Sequence, residues 1–251
     1  MKMEVHRVKT RLVNTYVMAY PDRLLVVDVA AGCEARVLGF IAHELQRPVA
    51  DVALVTCTHD DPDHMGGVHL LAEATGARTA LPLAAGNSWR KFLRDPASLL
   101  VRPITSVREM FRPRAREMYG NPARRIAADA EPQVSPERLA GAADTAPLKA
   151  MRLKHGARLP GFEDWRVVHT PGHSWDSLCF YHEATGSLLS GDTLLGSAPR
   201  NTLVQPAIYG NPWQLRRSLR RLRQLQVRVV YPGHGTPIVG DDVLARIEPS
   251  S

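Results

Sequence analysis

Between Thr58 and Gly67 the chain reads Thr-His-Asp-Asp-Pro-Asp-His-Met-Gly-Gly, which crowds His59, Asp60, Asp61, Asp63 and His64 into six residues. The cluster follows Val52–Cys57, a nearly continuous apolar run that predicts a strand buried on both faces. Two imidazoles and three carboxylates folded against one another there would be unfavourable without a cation, so metal binding is the chemistry this spacing points to. Three later segments add to it: Thr170-Pro171-Gly172-His173-Ser174, Ser190-Gly191-Asp192-Thr193 and Tyr231-Pro232-Gly233-His234-Gly235. Each sets a His or Asp just past a strand-like run, on a turn punctuated by glycine.

Taken in this order, the four segments resemble the metallo-β-lactamase-fold superfamily, above all its dinuclear hydrolases of the glyoxalase II and lactonase branches. The first corresponds to that family's HxHxDH motif, written here as His59-x-Asp61-x-Asp63-His64. The resemblance implies an α/β fold, the four-layer αββα sandwich, with 1–251 as a single domain. It implies two divalent metal ions: His59, Asp61 and His173 on one, Asp63, His64 and His234 on the other, Asp192 bridging. A hydroxide between the ions would be the nucleophile, and Asp63 would take up the proton as the tetrahedral intermediate collapses. Asp61 is a departure, since the usual motif has His there. Either it ligates or it points to solvent, and Asp60 could exchange roles with it. With Asp61 as a ligand, two divalent ions face three carboxylates and a hydroxide, so the formal charges cancel. Zinc, iron and manganese all accept such ligands, and the carboxylate-rich set leans to iron or manganese.

The implied activity is cleavage of a small ester, lactone or thioester, a small-molecule substrate. The alternative is a phosphodiesterase or nuclease on the same dinuclear site. A di-iron or mono-iron oxidoreductase ranks below both. Closer matches fail on particular residues. Quorum-signal lactonases carry Tyr three residues beyond the bridging Asp, where this chain has Leu195, and the few residues after His234 leave no room for the helical domain of glyoxalase II-like enzymes.

The elements that must position these residues read β-β-β-α-β-α-β over the first third. Strands are expected at Val5–Lys9, Leu12–Ala19, Arg23–Val29 and Val52–Cys57. Helices are expected from Glu34 to Gln46, with Val37, Phe40, Ile41 and Leu45 on one face, and from Gly66-Gly67 to Thr75. The motif thus sits at a strand's C-terminal end, where α/β sheets place ligands. In the last third, strands are expected at Trp165–His169, Leu178–His182, Ser187–Leu189 and Arg228–Tyr231, with a helix from Pro212 to Gln226 capped by Asn211. Between them, 84–147 reads as an inserted segment, helical and amphipathic at first and then Pro/Ala-rich and irregular, a candidate active-site lid. Tyr-Gly-Asn-Pro occurs twice, at Tyr119–Pro122 and Tyr209–Pro212, and reads as a repeated helix-start device.

Among the remaining residues, Asp28 matches the family's strand-end Asp and reads as support for a ligand. His169 reads as orienting its loop by a hydrogen bond, and His155 stays open as a substrate contact. His6, His43, His69 and His182 fit strand or helix faces.

Hydrophobic residues make up 44% of the chain, ordinary for a protein with a buried core. No apolar run is long enough to span a membrane, and the three cysteines are unpaired in sequence, so a cytoplasmic location is expected. The net charge of +7 invites an anionic partner. However, Arg216, Arg217, Arg220, Arg221 and Arg223 interleave with Leu215, Leu219 and Leu222 as the solvated face of a helix. Nucleic acid is therefore open but not favoured. A homodimer is also open.

Overall fold

The computed structural model of the protein describes residues 3–10, 13–111 and 150–248. The chain divides into two compact units, Met1–Leu81 with Pro122–Arg152 and Pro82–Asn121 with Leu153–Ser251.

The first unit builds β1 (Glu4–Lys9), β2 (Asn14–Ala19), β3 (Leu24–Val27), α1 (Glu34–Gly39), β4 (Val52–Thr56), α2 (Pro62–Met65), α3 (Val68–Thr75), β5 (Arg78–Pro82) and β6 (Met151–Leu153). Its sheet runs in that strand order, β1 to β6. β1, β2 and β3 pair antiparallel, whereas β3, β4 and β5 pair parallel. The inner strands are apolar on both faces, as parallel strands covered on both sides must be, and Leu24 to Val27 are all fully buried. α1 continues through a wider π turn over Phe40–Glu44, and Val37, Phe40 and Ile41 of the expected helical face are buried. The chain between β4 and α3 differs from the sequence reading. Helix begins at Pro62, before Gly66, because proline at a first-turn position is pre-set for helical φ and Asp61 is extended just ahead of it.

The second unit contains α4 (Ser88–Arg94), α5 (Ser98–Met110), β7 (Arg158–Leu159), β8 (Phe162–His169), β9 (Leu178–His182), β10 (Ser187–Gly191), β11 (Leu195–Ser197), β12 (Thr202–Val204), α6 (Pro212–Leu222), β13 (Val229–Pro232), β14 (Ile238–Val239) and β15 (Ile247–Glu248). A six-stranded sheet has the order β14-β13-β10-β9-β8-β7, beside a small β11-β12-β15 sheet. β10 and β13 are parallel, and β8 points the same way through antiparallel β9. The C-terminal ends of β8, β10 and β13 therefore share one edge of this sheet, and His173, Asp192 and His234 follow them. The helical start expected for the inserted segment is present as α4 and α5; its irregular remainder, with the first Tyr-Gly-Asn-Pro, lies outside the described residues.

α6 shows why the arginine run carries so little functional information. Asn211 caps it, its side-chain oxygen accepting from the backbone N–H of Trp213 and Gln214 at 3.1 Å each. Leu215, Leu219 and Leu222 are buried with Val168, Cys179 and Val230 in the unit's core, while Arg216, Arg217, Arg220 and Arg223 are exposed. Arg221 departs from this pattern: it is half-buried and donates to the carbonyl of His169.

Truncating Leu219 to Ala should cost about 2–5 kcal/mol of stability, whereas Arg216→Ala should change it by less than about 0.5 kcal/mol. Urea titration of the two variants checks this, and equal losses would remove α6 from the core.

Candidate metal centre

In the first unit, the loops after β3 and β4 are stitched together by backbone hydrogen bonds. Val29 N–H donates to His64 O at 2.8 Å, Ala31 N–H to Pro62 O at 3.1 Å, and Gly67 N–H to Val29 O at 2.9 Å. Gly67 has to be glycine here, because a Cβ would fall 2.6 Å from both Ala30 O and Glu34 Oε1. Asp28 stands at the end of β3 with φ 61°, a left-handed conformation that Asp tolerates better than most residues. Its buried carboxylate accepts from Thr58 N–H at 2.7 Å and from Thr58 Oγ1 at 3.0 Å, and lies 3.0 Å from His64 Nδ1.

These contacts set the two imidazoles. Thr58 gives its hydroxyl proton to Asp28, so at 3.1 Å it accepts from His59 Nδ1. His64 Nδ1 faces the Asp28 carboxylate at ion-pair distance, which favours the proton on that nitrogen. In both rings Nε2 then carries the lone pair, and both meet a carboxylate: His59 Nε2 is 3.3 Å from Asp61 Oδ2, and His64 Nε2 is 3.8 Å from Asp63 Oδ2. The two rings lie 4.1 Å apart.

The second unit repeats the device. His173 Nδ1–H donates to Ile208 O at 2.8 Å, which again leaves the lone pair on Nε2. Asp192 Oδ2 lies 3.8 Å from His173 Nε2 and 3.3 Å from His234 Nε2, so one carboxylate oxygen stands near both histidines. The His173 turn is held by α6. Gly172 has φ 145°, and a Cβ there would fall 2.4 Å from Leu215 Cα. Its carbonyl accepts from Asn211 N–H at 2.9 Å, and Ser218 Oγ donates to Pro171 O at 2.7 Å.

This donor set fits divalent cations. Ligand atoms about 2.0 Å from a shared ion at tetrahedral angles stand roughly 3.3 Å apart, which is the spacing of His59 to Asp61 and of His234 to Asp192. Nitrogen lone pairs and carboxylate oxygens at that distance repel unless a cation or proton lies between them. Fixing Nδ1 to a carboxylate, hydroxyl or carbonyl is how ligating histidines are oriented. Each sequence-predicted ligand is thus grouped with others of its own unit: His59, Asp61, Asp63 and His64 in one, His173, Asp192 and His234 in the other. Clusters of this His and Asp composition suit a divalent ion.

The model of the metallo-beta-lactamase superfamily matches residues 8–234. The chain belongs to that superfamily. Among its relatives is the Probable metallo-hydrolase YqjP of Bacillus subtilis (strain 168), 35% identical over 97 residues, 37% of this chain and 30% of that one. An Atrochrysone carboxyl ACP thioesterase of Aspergillus fumigatus is 38% identical over 73 residues, 29% of this chain and 16% of its own. These matches span less than a third of either relative. A solved metallo-beta-lactamase family protein from Thermus thermophilus superposes with a TM-score of 0.62 at 26% identity, covering 97% of this chain and 76% of that one. Mixed sheets with helices, as found in both units, are the α/β architecture of this superfamily, and the family relation points to an enzyme with a metal site.

The other expected contacts sort as follows. His169 holds its loop by donating Nε2–H to Trp175 O at 2.6 Å; burial keeps its pKa below the usual histidine value, reinforced by Arg221 and opposed by that carbonyl. His155 accepts from His169 N–H at 3.3 Å, and partial burial with Arg221 and Arg166 nearby lowers its pKa too. His182 pairs with Asp164 at 3.0 Å. His43 and His69 are exposed. Sequence reasoning missed Thr58, the Ile208 carbonyl and Arg102, whose guanidinium reaches within 3.5 Å of His173 Nε2.

Asn in place of Asp28 tolerates the left-handed backbone but has one acceptor oxygen for the two Thr58 donors and no charge to face His64 Nδ1. Asp28→Asn should therefore weaken metal affinity about 10–100-fold, read by competition against a chromophoric chelator. An unchanged affinity would show that Asp28 does not orient His64.

Proposed function

We propose that the protein is a dinuclear metal-dependent hydrolase of small esters, lactones or thioesters. His59, Asp61 and His173 hold one ion, Asp63, His64 and His234 the other, and Asp192 serves both. The observation that carries this reading is that one oxygen of Asp192 stands near His173 and His234 together, as a carboxylate shared by two ions requires. When bound, the ions supply a Lewis acid for the acyl oxygen and a water ionised near neutral pH. The protein's part is to fix the imidazoles before substrate arrives and to keep a carboxylate at the reacting group. Asp63 does the latter: its side chain is 27% exposed, open to reactants while held next to His64. It receives the proton as the leaving group departs. The acyl preference is supported by the Aspergillus relative named as a thioesterase.

Asp61 makes the His59 side of the site richer in oxygen, which favours iron or manganese over zinc. Asp61→His should shift the preference toward zinc when the three metals compete for metal-free protein. Equal zinc uptake by both proteins would contradict the assignment.

The activity is tested with a matched panel of an aryl ester, a lactone, an acyl thioester and a phosphodiester, assayed before and after chelation and metal return. Metal-dependent turnover of the acyl substrates is expected, with Asp63→Asn, a change at a ligand as well as at the proton acceptor, lowering kcat per bound metal about 10²–10⁴-fold, metal content being measured alongside. Turnover of the phosphodiester alone would replace this reading with the nuclease-type one.

A further inference from the structure

Within the second unit a pocket of about 340 Å³ opens beside the His173 turn, a size at the lower end of small-molecule sites. Leu83, Leu153, Leu178 and Trp175 give it apolar walls. Arg94, Lys154 and His155 complete its lining on the solvent side, and all three are exposed. No candidate metal ligand stands among these walls.

The charges of the pocket favour an anion. Its one acid, Asp176, is buried, accepts from Ser174 Oγ at 2.9 Å and pairs with Lys91 at 3.1 Å, so its charge is compensated within the fold. Among the described residues, no hydrogen bond or ion pair occupies the side chain of Arg94 or of Lys154. Those two cations are therefore the excess charge at this pocket.

His155 adds a neutral donor. The backbone N–H of His169 can only donate, so its 3.3 Å contact places the lone pair of His155 on Nδ1. Partial burial, with Arg221 and Arg166 nearby, lowers the pKa of His155 and keeps its ring neutral. The one ring proton then sits on Nε2.

The apolar wall is held in place before any ligand arrives. His169 donates Nε2–H to Trp175 O at 2.6 Å, and its own carbonyl accepts from Arg221. The His169 and Trp175 rings meet edge to face with centroids 5.3 Å apart. A pocket fixed in this way loses little freedom on binding.

We propose that this pocket is a binding site for a small amphipathic anion, a carboxylate or phosphate carried on an apolar chain. The chain lies against Trp175 and the three leucines. The anionic oxygens take Arg94, Lys154 and the Nε2–H of His155. None of these contacts needs an ion at His173, although the occupant rests on the turn that carries that ring.

The test is calorimetric binding to the full-length protein as purified, with metal content measured alongside. The probes are octanoate, octyl phosphate, octanol and acetate. Octanoate or octyl phosphate should bind at least about tenfold more tightly than octanol, through charge-assisted hydrogen bonds, and than acetate, through the buried chain. Arg94→Gln and Lys154→Gln combined should abolish the margin over octanol while leaving octanol affinity and metal content unchanged. Both side chains are exposed, so folding is not at stake. His155→Ala should narrow the same margin. Tighter binding of octanoate assigns the anion to a carboxylate, and tighter binding of octyl phosphate assigns it to a phosphate. A wild type that binds octanol as tightly as both anions, or acetate as tightly as octanoate, overturns the proposal. So does a doubly substituted protein that keeps the full margin, because the anion is then held elsewhere, as at a metal ion. Binding of no probe at all overturns it too. These outcomes are read without turnover, so a failure of the hydrolase reading leaves them standing.

Discussion

The carboxylate of Asp28, at the end of β3, accepts from the backbone and hydroxyl of Thr58 and faces the His64 ring at ion-pair distance, and the first half of the candidate centre depends on that grip. Its two oxygens accept from the backbone and hydroxyl of Thr58, from the chain just after β4, and one of them lies 3.0 Å from Nδ1 of His64, from the α2 turn. Through the Thr58 hydroxyl the same carboxylate also sets His59. One residue with an unusual backbone conformation therefore ties together two parallel strand ends and fixes two rings. Hydrogen bonds of this kind are strong because the acceptor is charged and water is excluded. The cost is a buried carboxylate, which is tolerable only while every donor stays in place.

In the second unit the equivalent role falls to main-chain packing. Gly172 allows the His173 turn to lie against the first turns of α6, and Asn211 serves twice, capping α6 by its side chain and holding Gly172 by its backbone. The ring itself is oriented by a carbonyl, Ile208 O. A side-chain carboxylate in one unit and a backbone carbonyl in the other reach the same end: a fixed tautomer with Nε2 presented toward a neighbouring carboxylate oxygen. That convergence is what a metal centre needs, since rings free to rotate would have to be ordered again each time an ion bound.

Much of this could be read in the sequence because metal chemistry restricts residue types and their spacing. His59, Asp61, Asp63 and His64 stand next to one another in the chain, and the buried runs before each ligand announce the strands that carry them. The Asn211-Pro212 start and the leucine spacing of α6 were equally plain, since caps and periodicity are local signals. What stayed hidden depends on long-range or main-chain contacts. Arg102 lies 71 residues before His173 and looked like any other arginine in a basic helix. Lys91, half-buried, and the buried Asp176 pair across 85 positions of sequence with nothing local to mark either. The Ile208 carbonyl cannot be legible at all, because every residue has one. The short turn at Pro62–Met65 was missed although Pro62 signalled it, since the glycines after it gave the stronger helix-start impression.

The proposed hydrolase needs two ions per chain. Elemental analysis decides it most directly, on untagged protein purified without chelator after growth with iron, manganese and zinc supplied together. A dinuclear hydrolase should carry about two equivalents per chain in the wild type, falling to about one in His173→Ala. One equivalent or less in the wild type would contradict it, leaving Asp61 outside the ligand set and Asp192 without a second ion to share.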